Sequence, residues 1–264
     1  MANIDEFVQL ERKISELRAV LAGLQLTPRF VVADRVMFSL AIDVIEHAIA
    51  VQLLQKSEVP RAAYANSRAA FESALDLILL VGRAEDYERN GSLAYVHEIH
   101  ENTRLQSRFG KADEAGGFSA RAVNDYRVLI HAEIAGLQTE WPSSAEALRN
   151  ALGEFEARKS YEKKHWSGKS RGNIGMAAIE VVGGKAGDGA IADALYGLLS
   201  AHSHPRARLT QREWLDSDTD DGLTVSARQD DKTKPQSIAV LACEGALGAL
   251  RTRRAYGAQI RSHL

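Results

Sequence analysis

Apolar side chains recur every three or four positions along most of this chain, which is the spacing of an amphipathic helix. The first such run covers 3–26 and ends at Thr27-Pro28. The second, 29–57, is apolar around much of its circumference, as expected for a central helix. Pro60 opens a third helix that runs to about Arg83, because proline is tolerated in the first turn of a helix.

The middle of the chain shows shorter periodic runs between turn residues. Asn90-Gly91 is interpreted as a break, followed by a helix over 92–108 and a glycine-rich loop over 110–117. Two more helices are expected at about 118–137 and 143–160. The second would have Ser143 or Ser144 as its N-cap, because serine hydroxyls accept hydrogen bonds from the first helical amides.

The last third of the chain has a looser pattern. We expect a basic loop over 159–173, a short helix over 174–182, a turn over 183–189, a helix over 190–203 that Pro205 ends, a small β-hairpin over 213–228 and a final helix from Pro235. Strands do not alternate with helices as a parallel sheet requires, so the predicted class is all-α, a multi-helix bundle.

Domain organisation follows from the absence of a fixed-period repeat and of a low-complexity linker. One helical domain over 1–264 is the simplest division, with 1–28 as an N-terminal helical extension. The alternative places a boundary near residue 110.

Composition is that of an ordinary globular protein: 264 residues, 45% hydrophobic and 26% charged. The formal net charge of -2 gives the whole chain no electrostatic preference for nucleic acid or membrane, so such a partner would need a local patch. Cys243 is the only cysteine, which excludes an internal disulfide and a cysteine-based metal cluster. The N-terminus lacks the features of a signal peptide, and we see no apolar run of the roughly 20 residues that cross a bilayer. We expect a cytoplasmic protein without a membrane partner.

Three apparent motifs fail on spacing. Gly168-Lys169-Ser170 resembles the end of a phosphate-binding loop, but Lys163 stands where that motif needs glycine. His97 and His100 are three apart, whereas the zincin pattern needs four, so we interpret them as a surface pair. Asp221 stands where a calcium loop needs glycine. Neither a metal site nor a cofactor is predicted.

A charged pair falls on the apolar face of the third helix. Arg68 and Glu72 project in line with Leu75 and Leu79. Being four residues apart, they can pair with each other or with groups on other helices. A structural ion pair and a catalytic role both stay open.

The helix predicted over 190–203 has a polar face formed by Asp193, Tyr196, Ser200 and His204. A hydroxyl and an imidazole four residues apart are neighbours on a helix, and histidine is suited to proton transfer near neutral pH. The other interpretation is a solvated face with a histidine near a helix C-terminus.

The predicted basic loop contains many cationic side chains and two aromatic rings: Lys159, Lys163, Lys164, His165, Lys169 and Arg171, with Tyr161 and Trp166 between them. Such a loop can hold phosphates while an aromatic ring stacks on a base. An ordinary solvated loop has the same composition.

Three sequence blocks together carry a resemblance: Ser67 to Glu72 (SRAAFE), His165 to Ser170 (HWSGKS) and Leu195 to Pro205 (LYGLLSAHSHP). In this order they resemble a family of uncharacterised bacterial helical proteins, over about 35–250. The expected architecture is similar to the HEPN superfamily of helical bundles, many of which are metal-independent ribonucleases of toxin and phage-defence systems.

The HEPN resemblance implies that arginine and histidine from paired subunits act on the scissile phosphate. His204 would transfer the proton, Arg68 or Arg206 would bind the phosphate, and a homodimer would assemble the site. The superfamily places arginine five to seven residues before histidine, where His204 is preceded by Gly197, Leu198 and Leu199. Arg158 and His165 do meet that spacing, as about two pairs in this chain are expected to do by chance.

The residues and the resemblance together predict two functions of different classes. The first is a HEPN-like protein that binds RNA or a nucleotide and cleaves RNA without metal. Its catalytic residues would be His204, Arg68, Glu72 and Ser200, and its substrate-binding residues Tyr196, Lys169, Arg171, Trp166 and Arg206. The second is a non-catalytic interaction or regulatory module in which Arg68, Glu72, Ser200 and His204 form a buried polar network that fixes helix packing.

Overall fold

A computed structural model describes residues 4–55, 60–116, 125–169, 173–181, 215–216, 224–225 and 233–261. Over these residues the fold is all-α, a multi-helix bundle, as the periodicity predicts. The helices are α1 (Ile4–Ala22), α2 (Val31–Leu54), α3 (Pro60–Val81), α4 (Tyr87–Gly116), α5 (Tyr126–Leu137), α6 (Pro142–Ala157), α7 (Ile174–Val181) and α8 (Thr233–Arg261), with 3₁₀ turns at Pro28–Phe30 and Glu162–Lys164.

The two strands lie inside the predicted hairpin. Strand β1 (Leu215–Asp216) pairs antiparallel with β2 (Thr224–Val225), and Leu215 lies opposite Val225. Helix α7 matches the short helix predicted over 174–182. The turn predicted over 183–189 and the helix predicted over 190–203 lie outside the described residues.

The chain divides into two compact units. The first comprises Met1–Leu24, Leu40–Leu79 and Ile174–Ala258, and the second Gln25–Ser39, Leu80–Asn173 and Gln259–Leu264. Helix α2 therefore contributes its first residues, 31–39, to the second unit and the remainder to the first.

In the first unit, α1, α2, α3 and α8 share an apolar core. Helix α1 lies on α8, where the Lys13 ammonium is 3.2 Å from the Glu244 carboxylate. Helix α2 lies beside α3, where His47 Nδ1 and Asn66 Oδ1 are 2.9 Å apart. Cys243 is in this core, and burial raises the pKa of its thiol to about 12. The thiol therefore stays protonated at neutral pH.

In the second unit, α4, α5 and α6 pack on one another. Helix α6 buries residues at helical spacing along one side, namely Ala145, Leu148, Leu152 and Phe155. At the start of α4, the fully buried Tyr87 ring meets Phe30 edge-on, with ring centroids 5.4 Å apart.

Helix α4 begins at Tyr87 and runs through Asn90-Gly91, so the predicted break there is wrong. Gly91 lies against Ala33 at the start of α2. A Cβ at Gly91 would overlap the Cα and Cβ of Ala33 far inside van der Waals contact. Glycine is required here because two helices approach closely, and no turn is involved.

Two other boundaries also differ from the prediction. Residues 110–116, predicted as part of a loop, form the last turns of α4. Trp141 occupies the N-cap position of α6 and Pro142 its first turn, so neither Ser143 nor Ser144 caps that helix. Ser144 is instead fully buried and bonds the backbone of another helix, as described below.

One segment among the described residues, Pro28–Leu54, which comprises the first 3₁₀ turn and α2, is long and apolar enough to cross a membrane. The prediction that no segment reaches this length was therefore wrong. Length and composition alone do not separate a membrane span from the central helix of a bundle. Asp34, within this segment, is fully buried and holds hydrogen bonds inside the protein.

Candidate phosphate-binding turn

Residues 159–169 of the predicted basic loop fold into a short, hydrogen-bonded structure after α6. The 3₁₀ turn Glu162–Lys164 leads into a tight turn, in which the Gly168 amide donates to the His165 carbonyl at 3.0 Å. Gly168 has φ of +74°, a left-handed conformation that side chains with a Cβ adopt at a cost. We call the segment 159–169 the basic turn.

His165 is part of the frame of the basic turn. Its Nδ1 accepts the Ser167 amide at 3.2 Å and lies 2.7 Å from the Ser167 hydroxyl oxygen. That oxygen in turn accepts the Lys169 amide at 3.3 Å. Because Nδ1 accepts a backbone N–H, the neutral ring carries its proton on Nε2. The imidazole is only 6% exposed. It holds the turn together because its Nδ1 contacts both the amide and the hydroxyl of Ser167.

Arg158 fastens the basic turn to the end of α6. Its Nη1 donates to the Trp166 carbonyl at 2.5 Å, and its Nη2 donates to Glu154 at 2.8 Å. The Trp166 ring is 6% exposed and lies beside His165, so the expected open platform for a base is not found at Trp166. Arg158 and His165, which meet the HEPN spacing, both serve as framework.

The outer surface of the basic turn is cationic. Lys164 and Lys169 are exposed, and within the described residues neither forms an ion pair. Tyr161 is 59% exposed and is the aromatic ring that the turn leaves open to solvent. The one acid, Glu162, accepts the Lys159 amide at 2.9 Å, and this hydrogen bond holds the pKa of its carboxyl below the usual value. The exposed lysines and the exposed Tyr161 ring suit a ligand in which an anionic group lies next to a planar aromatic group.

Residues 34–222 match a protein-family model described as Family of unknown function (DUF5677). The chain belongs to the DUF5677 family. All three sequence blocks that carry the resemblance lie within this match, so membership of an uncharacterised family is confirmed. No curated protein and no solved structure matches the chain.

Two other predicted site residues, Arg68 and Glu72, lie both within the DUF5677 match and among the residues that the structure describes. Arg68 Nε is 2.7 Å from Glu72 Oε1 on α3, with side chains 16% and 37% exposed. Pairing with each other, one of the two arrangements that the spacing left open, is present, and the pair is half-buried. Five predicted site residues lie outside the described residues: Arg171, Tyr196, Ser200, His204 and Arg206.

A cluster of rings around Phe155 was missed by the sequence analysis. The His100 centroid is 5.1 Å from that of Phe155 and 5.0 Å from that of Tyr126, and the His97 centroid is 6.3 Å from Phe155. The two histidines are therefore packed side chains, and the predicted surface pair is wrong. Their spacing of three on α4 was the available signal, since it places both on one face. We call this group, with Lys163, the Phe155 cluster.

Two carboxyl groups that sequence patterns did not indicate lie at the start of α2 in this DUF5677 protein. Asp34 belongs to α2 itself, and Glu88 belongs to α4. Asp34 accepts the Thr27 amide at 2.7 Å and the Tyr87 hydroxyl at 2.8 Å. Glu88 accepts the Ala33 amide at 3.3 Å. Burial raises the pKa of Glu88 to about 7, with a smaller contribution from Asp34 and opposition from hydrogen bonds with Ser144 and the backbone.

Ser144 completes this group, although it comes from α6. Its hydroxyl accepts the Val31 amide at 3.3 Å and donates to the Arg29 carbonyl at 3.4 Å. The first amides of a helix have no partner within it, and here side chains from α4 and α6 supply partners. The group therefore fixes where α2 begins in the second unit.

The positive φ of Gly168 predicts how the substitution Gly168→Ala changes the stability of the protein. Because Gly168 has a positive φ, a Cβ is expected to lower the free energy of unfolding by about 1 kcal/mol. Urea unfolding measures this change. Gly136→Ala is the matched control, since a Cβ there meets nothing within 4 Å and helix interiors favour alanine. Equal effects at both positions would contradict the role of φ.

Proposed function

We propose that this DUF5677 protein is a HEPN-like cytoplasmic homodimer that binds RNA or a nucleotide at the basic turn and cleaves RNA without a metal ion. The observation that supports binding is the basic turn itself. Its hydrogen bonds lie within the turn or join it to the end of α6, so a phosphate finds the exposed lysines on a preformed frame and little ordering is needed on binding. Phosphate contacts with lysine are the main source of affinity for nucleic acids.

Two cations and one ring of the basic turn serve this proposal. Lys169 follows the glycine of the tight turn, and Lys164 ends the 3₁₀ turn. Arg171 lies two residues beyond Lys169 in sequence and is proposed to add a bidentate contact. Tyr161, rather than the buried Trp166, is proposed as the ring that stacks on a base.

The proposed chemistry is transfer of the phosphodiester to the neighbouring 2′-oxygen. His204 accepts the proton of the 2′-hydroxyl, the P–O2′ bond forms and the P–O5′ bond breaks. The 5′-oxygen leaves with a proton from water, which gives a 2′,3′-cyclic phosphate and a free 5′-hydroxyl. Arg68 or Arg206 would bind the phosphate, Glu72 would hold Arg68, and Ser200 and Tyr196 would contact the substrate. The roles of His204 and its neighbours rest on the resemblance.

Incubation of purified protein with total RNA and with defined tRNA in EDTA tests cleavage. We expect the wild type to cut and His204→Ala to lose at least about a hundredfold in rate, because general acid–base groups contribute that much or more. His131→Ala is the control, since His131 is an exposed histidine of α5. Circular dichroism melts of all three proteins establish that each is folded. If the wild type leaves both substrates intact, the ribonuclease proposal is wrong.

A second function, a non-catalytic interaction or regulatory module, is favoured by one observation. Arg68 and Glu72 pair within a single helix, and Arg68 is 16% exposed, which is the geometry of a structural ion pair. The same panel with Arg68→Ala separates the two proposals. A module predicts a lower melting temperature for Arg68→Ala and no cleavage by any protein in the panel.

A further inference from the structure

Two arginine side chains converge on a single carboxylate beside the basic turn. Arg89, on α4, donates to both oxygens of Glu154, from Nε to Oε2 at 2.9 Å and from Nη2 to Oε1 at 2.8 Å. Arg158 Nη2 donates to the same Oε1 at 2.8 Å. Two guanidinium groups therefore share one carboxylate, and the group as a whole carries excess positive charge. We call these three residues the Arg89 cluster.

The Arg89 cluster adjoins the basic turn, and both belong to the second unit. The Arg158 guanidinium lies against Gly168, where a Cβ would be 3.8 Å from Arg158 Cζ. Lys169 follows Gly168 directly in the chain. Successive contacts through Glu154 and Arg158 thus join Arg89 to the turn. Arg89 and Lys169 therefore lie close enough together for one short oligonucleotide to contact both.

Arg89 retains hydrogen-bond donors for an anion. A guanidinium has five N–H groups, and the hydrogen bonds with Glu154 use Nε–H and one N–H of Nη2. The Arg89 side chain is 56% exposed, whereas that of Arg158 is 12% exposed. The remaining N–H groups of Arg89 can therefore reach a phosphate from the solvent. Because Glu154 already holds the guanidinium, less side-chain freedom is lost when the phosphate binds.

We propose that Arg89 binds a phosphate of RNA, with Glu154 as the residue that positions its guanidinium. The inference rests on the proposed function and extends its binding surface from the basic turn onto α4. Arginine suits this role because its planar fork can donate two parallel hydrogen bonds to one phosphate. RNA carries a phosphate at every nucleotide, so one strand can bind Arg89 and the exposed lysines of the basic turn together.

Titration of the full-length protein into a fluorescently labelled single-stranded oligoribonucleotide tests the proposal, with anisotropy as the measure of binding. Arg89→Gln is expected to weaken binding roughly fivefold, because a charge-assisted contact is lost. Glu154→Gln is expected to strengthen binding roughly threefold. It removes a negative charge that repels the phosphate, while the amide oxygen still accepts from Arg89. Glu154→Ala, which also removes the positioning contact, should bind less tightly than Glu154→Gln.

The opposite signs of these effects distinguish phosphate binding from a structural role. An ion pair that only joins α4 to α6 predicts no gain in affinity from Glu154→Gln, and a gain cannot come from misfolding. Arg127→Gln is the matched control, since Arg127 is also 56% exposed but pairs one-to-one with Glu156. It should bind like the wild type. If Arg89→Gln binds like the wild type, or if Arg127→Gln weakens binding as much, the proposal is wrong.

The salt dependence of binding gives a second measurement of the same contact. The slope of log K against log salt concentration should be shallower for Arg89→Gln than for the wild type by roughly 0.7, the contribution of one phosphate contact with a single strand. An unchanged slope overturns the proposal. Circular dichroism melts establish that each variant is folded.

Lys169→Ala separates this inference from the proposed function. If Lys169→Ala weakens binding of the oligoribonucleotide and Arg89→Gln does not, the basic turn stands and the Arg89 site is wrong. If the wild type does not bind the oligoribonucleotide, both proposals fail.

Discussion

Glu88→Gln is expected to raise the free energy of unfolding by about 3 kcal/mol at about pH 8 and to leave it almost unchanged near pH 4. Burial raises the pKa of this carboxyl from 4.5 to about 7 in the folded protein. Protonated Glu88 therefore stabilises the fold below the unfolded value of 4.5, and this stabilisation is lost as the pH rises to about 7. Glutamine keeps the shape of the protonated group at every pH.

Urea unfolding at a series of pH values measures this effect. The difference between Glu88→Gln and wild type should grow between the unfolded pKa of 4.5 and the folded pKa of about 7, and then level off. Glu140→Gln, at an exposed position, should run parallel to wild type throughout. Parallel curves for Glu88→Gln as well would mean that the pKa of this carboxyl is the same in the folded and the unfolded protein.

Gly91→Ala is expected to lower the free energy of unfolding by about 3 kcal/mol. The new methyl group would overlap the Cα and Cβ of Ala33, and backbone atoms in the first turn of a helix cannot rotate away as a flexible side chain can. The start of α2 and helix α4 would have to move apart. That movement disturbs Asp34, Tyr87 and Glu88, which lie beside the contact.

Gly153→Ala on α6 is the matched control for Gly91→Ala. A Cβ at Gly153 meets nothing within 4 Å, so alanine there should stabilise the protein by roughly 0.5–1 kcal/mol through its helix propensity. Glycine-to-alanine substitutions in two neighbouring helices of one unit are therefore expected to change the free energy of unfolding in opposite directions. A small or favourable effect at Gly91 would show that the two helices separate at little cost.

The fold class was predictable because apolar residues at helical spacing occur in almost every element. The boundaries of the helices were less predictable, and Gly91 shows the reason. A glycine that permits close packing and a glycine that makes a turn look alike in sequence, and only the position of Ala33 distinguishes them. Ser144 is a similar case, since its place near the start of α6 suggested an N-cap and its hydroxyl bonds Val31 instead.

The candidate site was predictable where its contacts are local. Arg68 and Glu72 are one helical turn apart, and the spacing indicated their pairing as one of two arrangements. Trp166 was expected to be open because its neighbours in sequence are basic and polar. It is buried because Arg158 binds its carbonyl and His165 lies against its ring. The contacts of His100 with Phe155 and Tyr126 join three helices, so no local pattern indicated them.

The hydrogen-bond partners of the first amides of α2 determine how early the second unit can fold during synthesis of the chain. The Ala33 amide bonds a carboxylate 55 positions later, and the Val31 amide bonds a hydroxyl 113 positions later. A ribosome delivers the N-terminal residues first, at roughly 5–20 residues per second, so α2 emerges seconds before its partners exist. Until then water is the partner of these amides. Translation of α6 is therefore the earliest moment at which the second unit can close.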